Sequence, residues 1–196
     1  MAAIKLIPAS GGGSVSLAPP NSTSGADVTF TLPSTSQSFG KLLQVVSTAK
    51  TDTWSSSAAN SSFVDITGFS VNITPTHSSN KIYITGFATI SQSTSAAYRM
   101  ALQLMRDSTA IGIGAADGNR TRCTVGTQGM AHADSSPAFP FAFLDSPNTT
   151  SQVTYKMQMM GEHSTVYVNR SGAENDGDSA LTPRMISVIT AMEVAA

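Results

Sequence analysis

Apolar and polar side chains alternate at every second residue along most of this chain. Ile82, Ile84, Gly86, Ala88 and Ile90 share one side of a single run, and Tyr83, Thr85, Phe87 and Thr89 share the other. Tyr98, Met100, Leu102 and Leu104 repeat the pattern against Arg99, Ala101, Gln103 and Met105. Residues two apart lie on one face only in an extended strand, whereas a helix gathers residues three and four apart. No apolar stripe of helical spacing runs longer than two turns. The chain is therefore expected to be all-β.

The same reading places further strands. Lys41–Ser47 enters the body. Thr51–Trp54 and Ser62–Ile66 flank a Ser/Ala/Asn loop and read as a loose hairpin, and Phe69–Ile73 is stopped by Pro75. Arg106-Asp107-Ser108-Thr109 predicts a tight turn into Ala110–Gly114. Phe139, Phe141 and Phe143 alternate around Pro140, which cannot donate to a ladder and so predicts an edge strand or a strand start. Val153, Tyr155, Met157 and Met159 alternate with Thr154, Lys156 and Gln158, and Thr165–Asn169 follows. Arg184–Val194 is apolar on both faces, which predicts a central strand covered on both sides. Together these make about eight to ten strands at the spacing of a sandwich or barrel.

Several strands carry apolar residues on the side turned away from the expected core: Tyr83, Phe87, Met105, Met185 and Ile189. A monomer rarely leaves such a patch in water, so association is the expected remedy. Composition agrees. Only 12% of residues are charged and the net charge is −1, while 29 Ser and 23 Thr make up more than a quarter of the chain. That balance gives no field to attract nucleic acid. No apolar run is long enough for a membrane-spanning helix. Cys123 stands alone, so no intrachain disulfide forms, and folding without oxidation is expected. The N-terminus lacks the pattern of a signal peptide.

Residues 1–40 differ from the rest. Ile4–Ile7, Val15–Leu17 and Val28–Leu32 are short strand-like pieces among Gly, Pro and Ser, with too few apolar residues to close a core. They read as an extended stalk or anchor ahead of a body spanning 41–196, with Gly11-Gly12-Gly13 as a flexible joint within it. The pattern G-S-V-x-L-x-P-P followed by A-D-V-T-x-T-L-P resembles the N-terminal part of tail and fibre proteins of marine bacteriophages. The order of strands 81–90 and 97–106, then F-x-F-L-D-x-P (141–147), V-T-Y-K-M (153–157) and V-Y-V-N-R (166–170), is similar to small phage virion proteins. More loosely, it resembles trimeric jelly rolls of the tumour-necrosis-factor type.

That resemblance implies a jelly-roll-like β-sandwich head on a short β stalk, located in the virion and assembled in the host bacterial cytoplasm. It implies a non-enzymatic homotrimer, a short fibre or tail-tip protein bound to other virion proteins through its N-terminal segment and contacting a host-surface glycan. Capsid decoration or a head fibre is the alternative within that class, and a free carbohydrate-binding module is the rival outside it. Tyr83, Phe87, Tyr155 and Tyr167 are the expected threefold contacts.

The chain shows no recognisable catalytic pattern. His77, His132 and His163 lack the spacing of a zinc site, and His132-Ala133-Asp134 is their nearest approach to a pair. No G-x-S-x-G elbow and no glycosidase-type carboxylate pair occurs. Glu174–Asp178 offers oxygen ligands and a turn glycine but lacks an EF-hand's closing Glu. Six N-x-S/T sequons fit chance in so Ser/Thr-rich a chain, and Trp54 and the four tyrosines are the sugar-stacking candidates, with a place in the core or a subunit interface as the other reading. No cofactor is expected.

Overall fold

The computed structural model describes residues 4–6, 15–17, 41–93, 99–128, 135–162, 165–172, 178, 180 and 182–196. Met1–Phe39 and Gly40–Ala196 form two separate compact units. In the first, β1 (Ile4–Leu6) pairs antiparallel with β2 (Val15–Leu17), Ile4 lying opposite Leu17. The rest of the expected stalk lies outside the described residues, as do Tyr98, His132, His163 and Glu174–Gly177.

The second unit is all-β among the described residues. Its strands are β3 (Leu42–Lys50), β4 (Trp54–Ser56), β5 (Val64–Ile73), β6 (Lys81–Gln92), β7 (Arg99–Arg106), β8 (Thr109–Ile111), β9 (Val125–Gln128), β10 (Ala138–Asp145), β11 (Val153–Gly161), β12 (Val166–Val168) and β13 (Ser187–Val194). Sheet I runs β3-β13-β6, and β10 pairs with the other edge of β6. The short strands β12 and β4 extend sheet I at the end of β6. Sheet II runs β5-β11-β7, with β8 and β9 on the outer edge of β7. All these ladders are antiparallel. Orders β3-β13-β6-β10 and β5-β11-β7-β9, with the chain crossing repeatedly between layers, make an eight-stranded jelly roll of two antiparallel sheets.

The alternation explains the core. Ile82, Ile84, Ala88 and Ile90 point inward from β6 to meet Met100, Leu102 and Leu104 of β7 and Val153, Tyr155, Met157 and Met159 of β11, all buried. Phe69 of β5 meets Phe141 of β10 edge-on, with ring centroids 6.4 Å apart and planes at 77°. That geometry favours aromatic pairs and ties one sheet to the other. Pro140 sits on β10, which pairs with β6 alone, as its missing N–H requires. The turn at Asp107 has φ 52°, and Arg106 pairs directly with Thr109.

Several expectations need correction. Trp54 and Val64–Ile66 do not form a hairpin. Trp54 lies opposite Val168 in sheet I, whereas Val64 pairs with Met159 in sheet II. Trp54 packs on the core and Ile66 lies within it, and the intervening loop carries the chain from one layer to the other. The pieces 62–66 and 69–73 are one strand with a bulge. Lys156 pairs with Ser70 and Gln158 with Asp65, so Met157 alone spans Ile66–Phe69. Gly68 takes φ +78° there, a left-handed value a side chain would resist. The bulge turns both Ile66 and Phe69 inward although they are three residues apart. The expected strand at Ala110–Gly114 stops at Ile111, because Gly112 turns the chain with φ 57°.

Ile189 also moves, from the outer face to the core, where it is fully buried. Its companions Ala191 and Glu193 set that phase. Met105 is outward on sheet II yet buried, with the Gln103 amide donating to its sulfur at 3.1 Å.

Gly86 is the tightest point of β6. A Cβ added there would lie 2.0 Å from the Val188 carbonyl oxygen and 2.9 Å from the Phe141 ring. The first of these is backbone in a central ladder and cannot step aside. Gly86→Ala is expected to cost at least about 2 kcal/mol of stability, read by thermal or denaturant unfolding. Gly114→Ala, where an added Cβ meets nothing within 4 Å, is the comparison expected to stay near wild type.

Candidate functional site

The surface that stands out is the outer face of sheet I. The register places alternate residues of four strands side by side. Val45, Met192, Tyr83 and Leu144 form one straight row across β3, β13, β6 and β10. Ser47, Thr190, Thr85 and Ala142 form the next row, and Ala49, Val188, Phe87 and Pro140 the one after. Val45 is 52% exposed, Leu144 55% and Tyr83 37%. The middle row is polar but uncharged, with the Ser47 and Thr190 hydroxyls 2.8 Å apart. Among the described residues the charges on this side are Lys81 at its border, whose ammonium donates to Ser146 Oγ at 2.8 Å, and Arg170, whose guanidinium lies over Tyr167 at the far end.

The outer face of sheet II is different. Asp65 takes an ion pair from Lys156 at 2.7 Å and a hydrogen bond from the Gln158 amide at 2.8 Å. Thr154 Oγ1 donates to Asn72 Oδ1 at 2.8 Å. Burial pushes the Asp65 carboxyl up, but Lys156 and Gln158 outweigh it and hold it below its ordinary value. One side of the sandwich is thus dressed for water and the other is not.

Three of the four expected contact residues share the apolar side. Tyr83 and Phe87 stand two rows apart on β6. Tyr167 lies on the same side near the strand's far end, opposite Ser91 and Ser55, with the Arg170 guanidinium 4.5 Å from its ring centroid. Tyr155 is not among them. It is fully buried between the sheets, because Val153, Met157 and Met159 on its face are apolar and carry it inward. Its hydroxyl donates to Asp145 at 2.7 Å, and Arg106 reaches the same carboxylate at 2.9 Å. Burial first, and the Asp145 carboxylate second, push the Tyr155 phenol well above its ordinary pKa.

Val45, Met192 and Leu144 were missed by sequence reasoning. Their strands were legible, but a cross-strand row depends on register, which no local pattern encodes. Trp54, a sugar-stacking candidate with core packing as the other reading, packs against the core. His77 is exposed in a turn, its Nδ1 2.9 Å from Ser79 Oγ. Among the described residues no three His, Cys, Asp or Glu side chains gather as metal ligands.

The platform is pinned from beneath by Glu193. This buried carboxylate accepts from Gln44 Nε2 at 2.6 Å, Asn80 Nδ2 at 2.6 Å, and the Thr76 N–H and hydroxyl at 2.7 and 2.8 Å. Gln44 lies on β3, Glu193 on β13 and Asn80 just before β6, so one group locks three strand ends. Asn169 does the same at the other end. It donates to the carbonyls of Lys50 and Asp52 at 2.8 and 2.9 Å and accepts from Ser187 Oγ at 2.7 Å.

No family model matches the sequence, and no curated protein does. Among solved structures the chain is similar to infectious bursal disease virus, Gt strain, at 17% identity and a TM-score of 0.43, over 94% of this chain and 45% of that one. For the Gx strain the figures are 16%, 0.41, 78% and 42%. For the VP2 subviral particle of the same virus they are 17%, 0.38, 78% and 38%. The chain spans less than half the length of each.

Two tests follow from the buried polar groups. Burial pushes the Glu193 carboxyl up, but the donors from Asn80, Gln44 and Thr76 prevail and bring it from 4.5 to about 2. A depressed carboxyl stabilises the fold above the unfolded value and loses that contribution as pH falls from about 4.5 towards 2. The shift corresponds to roughly 3 kcal/mol. Acid unfolding followed by tryptophan fluorescence is expected to show this loss, and Glu193→Gln to flatten it while lowering stability at neutral pH. Tyr155→Phe removes the O–H donated to the buried Asp145 carboxylate and is expected to cost about 1–3 kcal/mol in denaturant unfolding.

Proposed function

We propose that this chain is a non-enzymatic structural protein of a bacteriophage particle. Three copies build a short fibre or tail tip, joined to other virion proteins through residues 1–40, with the sandwich head turned to the host surface and its glycans. One observation carries the reading: a jelly roll whose one sheet face is charged and solvated while the other is broad, apolar and almost free of charge. Eight-stranded jelly rolls recur in viral capsid and lectin domains. A free lectin needs water on both faces, whereas a building block needs a face for its neighbours.

The internal chemistry fits a building block too. Asp145 and Glu193, the two buried carboxylates among the described residues, are engaged by donors from Arg106, Tyr155, Gln44, Thr76 and Asn80. Groups so occupied hold strands in place and are not poised to act on a substrate.

The test is direct labelling. Antibody to this chain, applied to purified particles of the phage that encodes it and imaged by electron microscopy, is expected to decorate the tail end. Label spread over the capsid shell would make the chain a decoration protein. Purified particles that lack the chain by mass spectrometry would overturn the virion role.

A further inference from the structure

We propose that a cleft on the outer face of sheet II, walled by Arg99 of β7 and by Arg120 of the loop between β8 and β9, binds a carboxylate-bearing sugar of a surface glycan. The inference rests on the reading of the head as turned to host glycans, and adds to it the site and the class of sugar.

The sheet itself makes the recess. Met160, Ala101 and Gly126 stand in one row across β11, β7 and β9. Ala101 adds only a methyl group to that row and Gly126 adds nothing, so the outer surface drops there. The rows on either side are taller. Gln103 and Gln158 join across one side at 3.3 Å, and Arg99 and Glu162 pair across the other at 3.2 Å. The loop supplies the remaining wall with Arg120, Thr121 and Cys123, and the space between is about 590 Å³. That volume is within the range of sites that hold small molecules.

The loop wall is fixed before any ligand arrives. The Gly114 N–H donates to the Cys123 carbonyl at 3.3 Å, the Arg122 guanidinium to the Gly114 carbonyl at 2.6 Å, and the Arg120 N–H to the Asp117 carbonyl at 3.1 Å. Thr124 then ties the loop to β7, giving its N–H to the Leu102 carbonyl and taking the Leu104 N–H on its hydroxyl, both at 2.9 Å. A wall built in advance spares a ligand the cost of ordering it.

Both arginines keep one edge open. Arg99 engages Glu162 through Nη1 alone, and Arg120 engages Asp117 through Nη1 alone. Among the described residues no acceptor meets Nε or Nη2 of either, and the residues lining the cleft include no acid. The Nε and Nη2 edge is the fork that takes a planar carboxylate through two parallel hydrogen bonds. Between the forks lie Met160, Ala101 and Cys123, an apolar floor suited to the C–H face of a sugar ring. The same fork takes phosphate, but a chain of net charge −1 has no field to collect polyphosphate or nucleic acid. A nucleobase finds no aromatic ring to stack on among the described lining residues. A sugar carboxylate matches floor and forks together.

The experiment uses the full chain with methionine labelled at its methyl carbon, followed by nuclear magnetic resonance. It is titrated with oligosaccharides of galacturonate, glucuronate, mannuronate and N-acetylneuraminate, with an uncharged galactose oligosaccharide and tripolyphosphate as controls at matched ionic strength. At least one acidic sugar is expected to shift the Met160 methyl signal, assigned by its loss in Met160→Leu, at concentrations where neither control does. Arg99→Gln and Arg120→Gln are each expected to weaken that binding by at least about tenfold in isothermal titration. Gly126→Leu fills the recess and is expected to abolish binding while melting as the wild type does, because a Cβ there meets only Cys123 Sγ, at 3.4 Å. No shift with any of the four acidic sugars would overturn the proposal, as would equal binding of either control or binding that survives Gly126→Leu. Binding by a chain absent from phage particles leaves the cleft standing and removes only the virion role. A chain labelled on particles that binds none of the sugars keeps that role and loses the cleft.

Discussion

The two-residue period of β6 is the constraint on which the rest of this structure depends. The strand is hydrogen-bonded along both edges, to β13 on one side and β10 on the other. It cannot slip by one residue without breaking both ladders and exchanging its faces. Because Ile82, Ile84, Ala88 and Ile90 are committed to the core, Tyr83, Thr85 and Phe87 are committed to the outside. Gly86 completes the lock by letting Phe141 and the Val188 carbonyl approach where any side chain would hold them off.

With few charges in the chain, the buried ones are placed where strand ends must be held. Glu193 joins the start of β3, the end of β13 and the turn before β6. Asn169 joins β12, the exit of β3 and the entry to β13. Asp145 closes β10 onto β7 and β11 through Arg106 and Tyr155. Glu193 and Asp145 each accept from several donors, and Asn169 donates twice and accepts once, which is what makes a buried polar group tolerable and gives it directional force. Apolar packing alone forbids a slip of one residue but discriminates less between registers two residues apart. These hubs fit one register only, and that register creates the apolar rows on the outer surface.

Asymmetry between the two outer faces follows from the same economy. Sheet II spreads Asp65, Lys156 and Gln158, and Asn72 with Thr154, over water-facing positions as two hydrogen-bonded groups. Sheet I has no such dressing. The two outer faces of the sandwich therefore differ in kind, one charged and hydrogen-bonded and the other largely uncharged.

Much of this was legible in the residues. Alternation at 82–90 and 98–106 dictated an all-β body, Pro140 dictated an edge, and the two-sided apolar strand near the C-terminus dictated a central place for β13. These are local statements, because strand period and proline's missing donor act within a few residues. What only the tertiary structure decided is how strands far apart in sequence stand against one another. Period two says which side chains share a face but not which face is the core. Tyr155 went inward with Val153 and Met157, and Ile189 with Ala191, once the opposing layer was in place. Likewise the row Val45, Met192, Tyr83 and Leu144 joins residues separated by up to 147 positions. Register is a sum over many distant contacts, so no short stretch of sequence holds it.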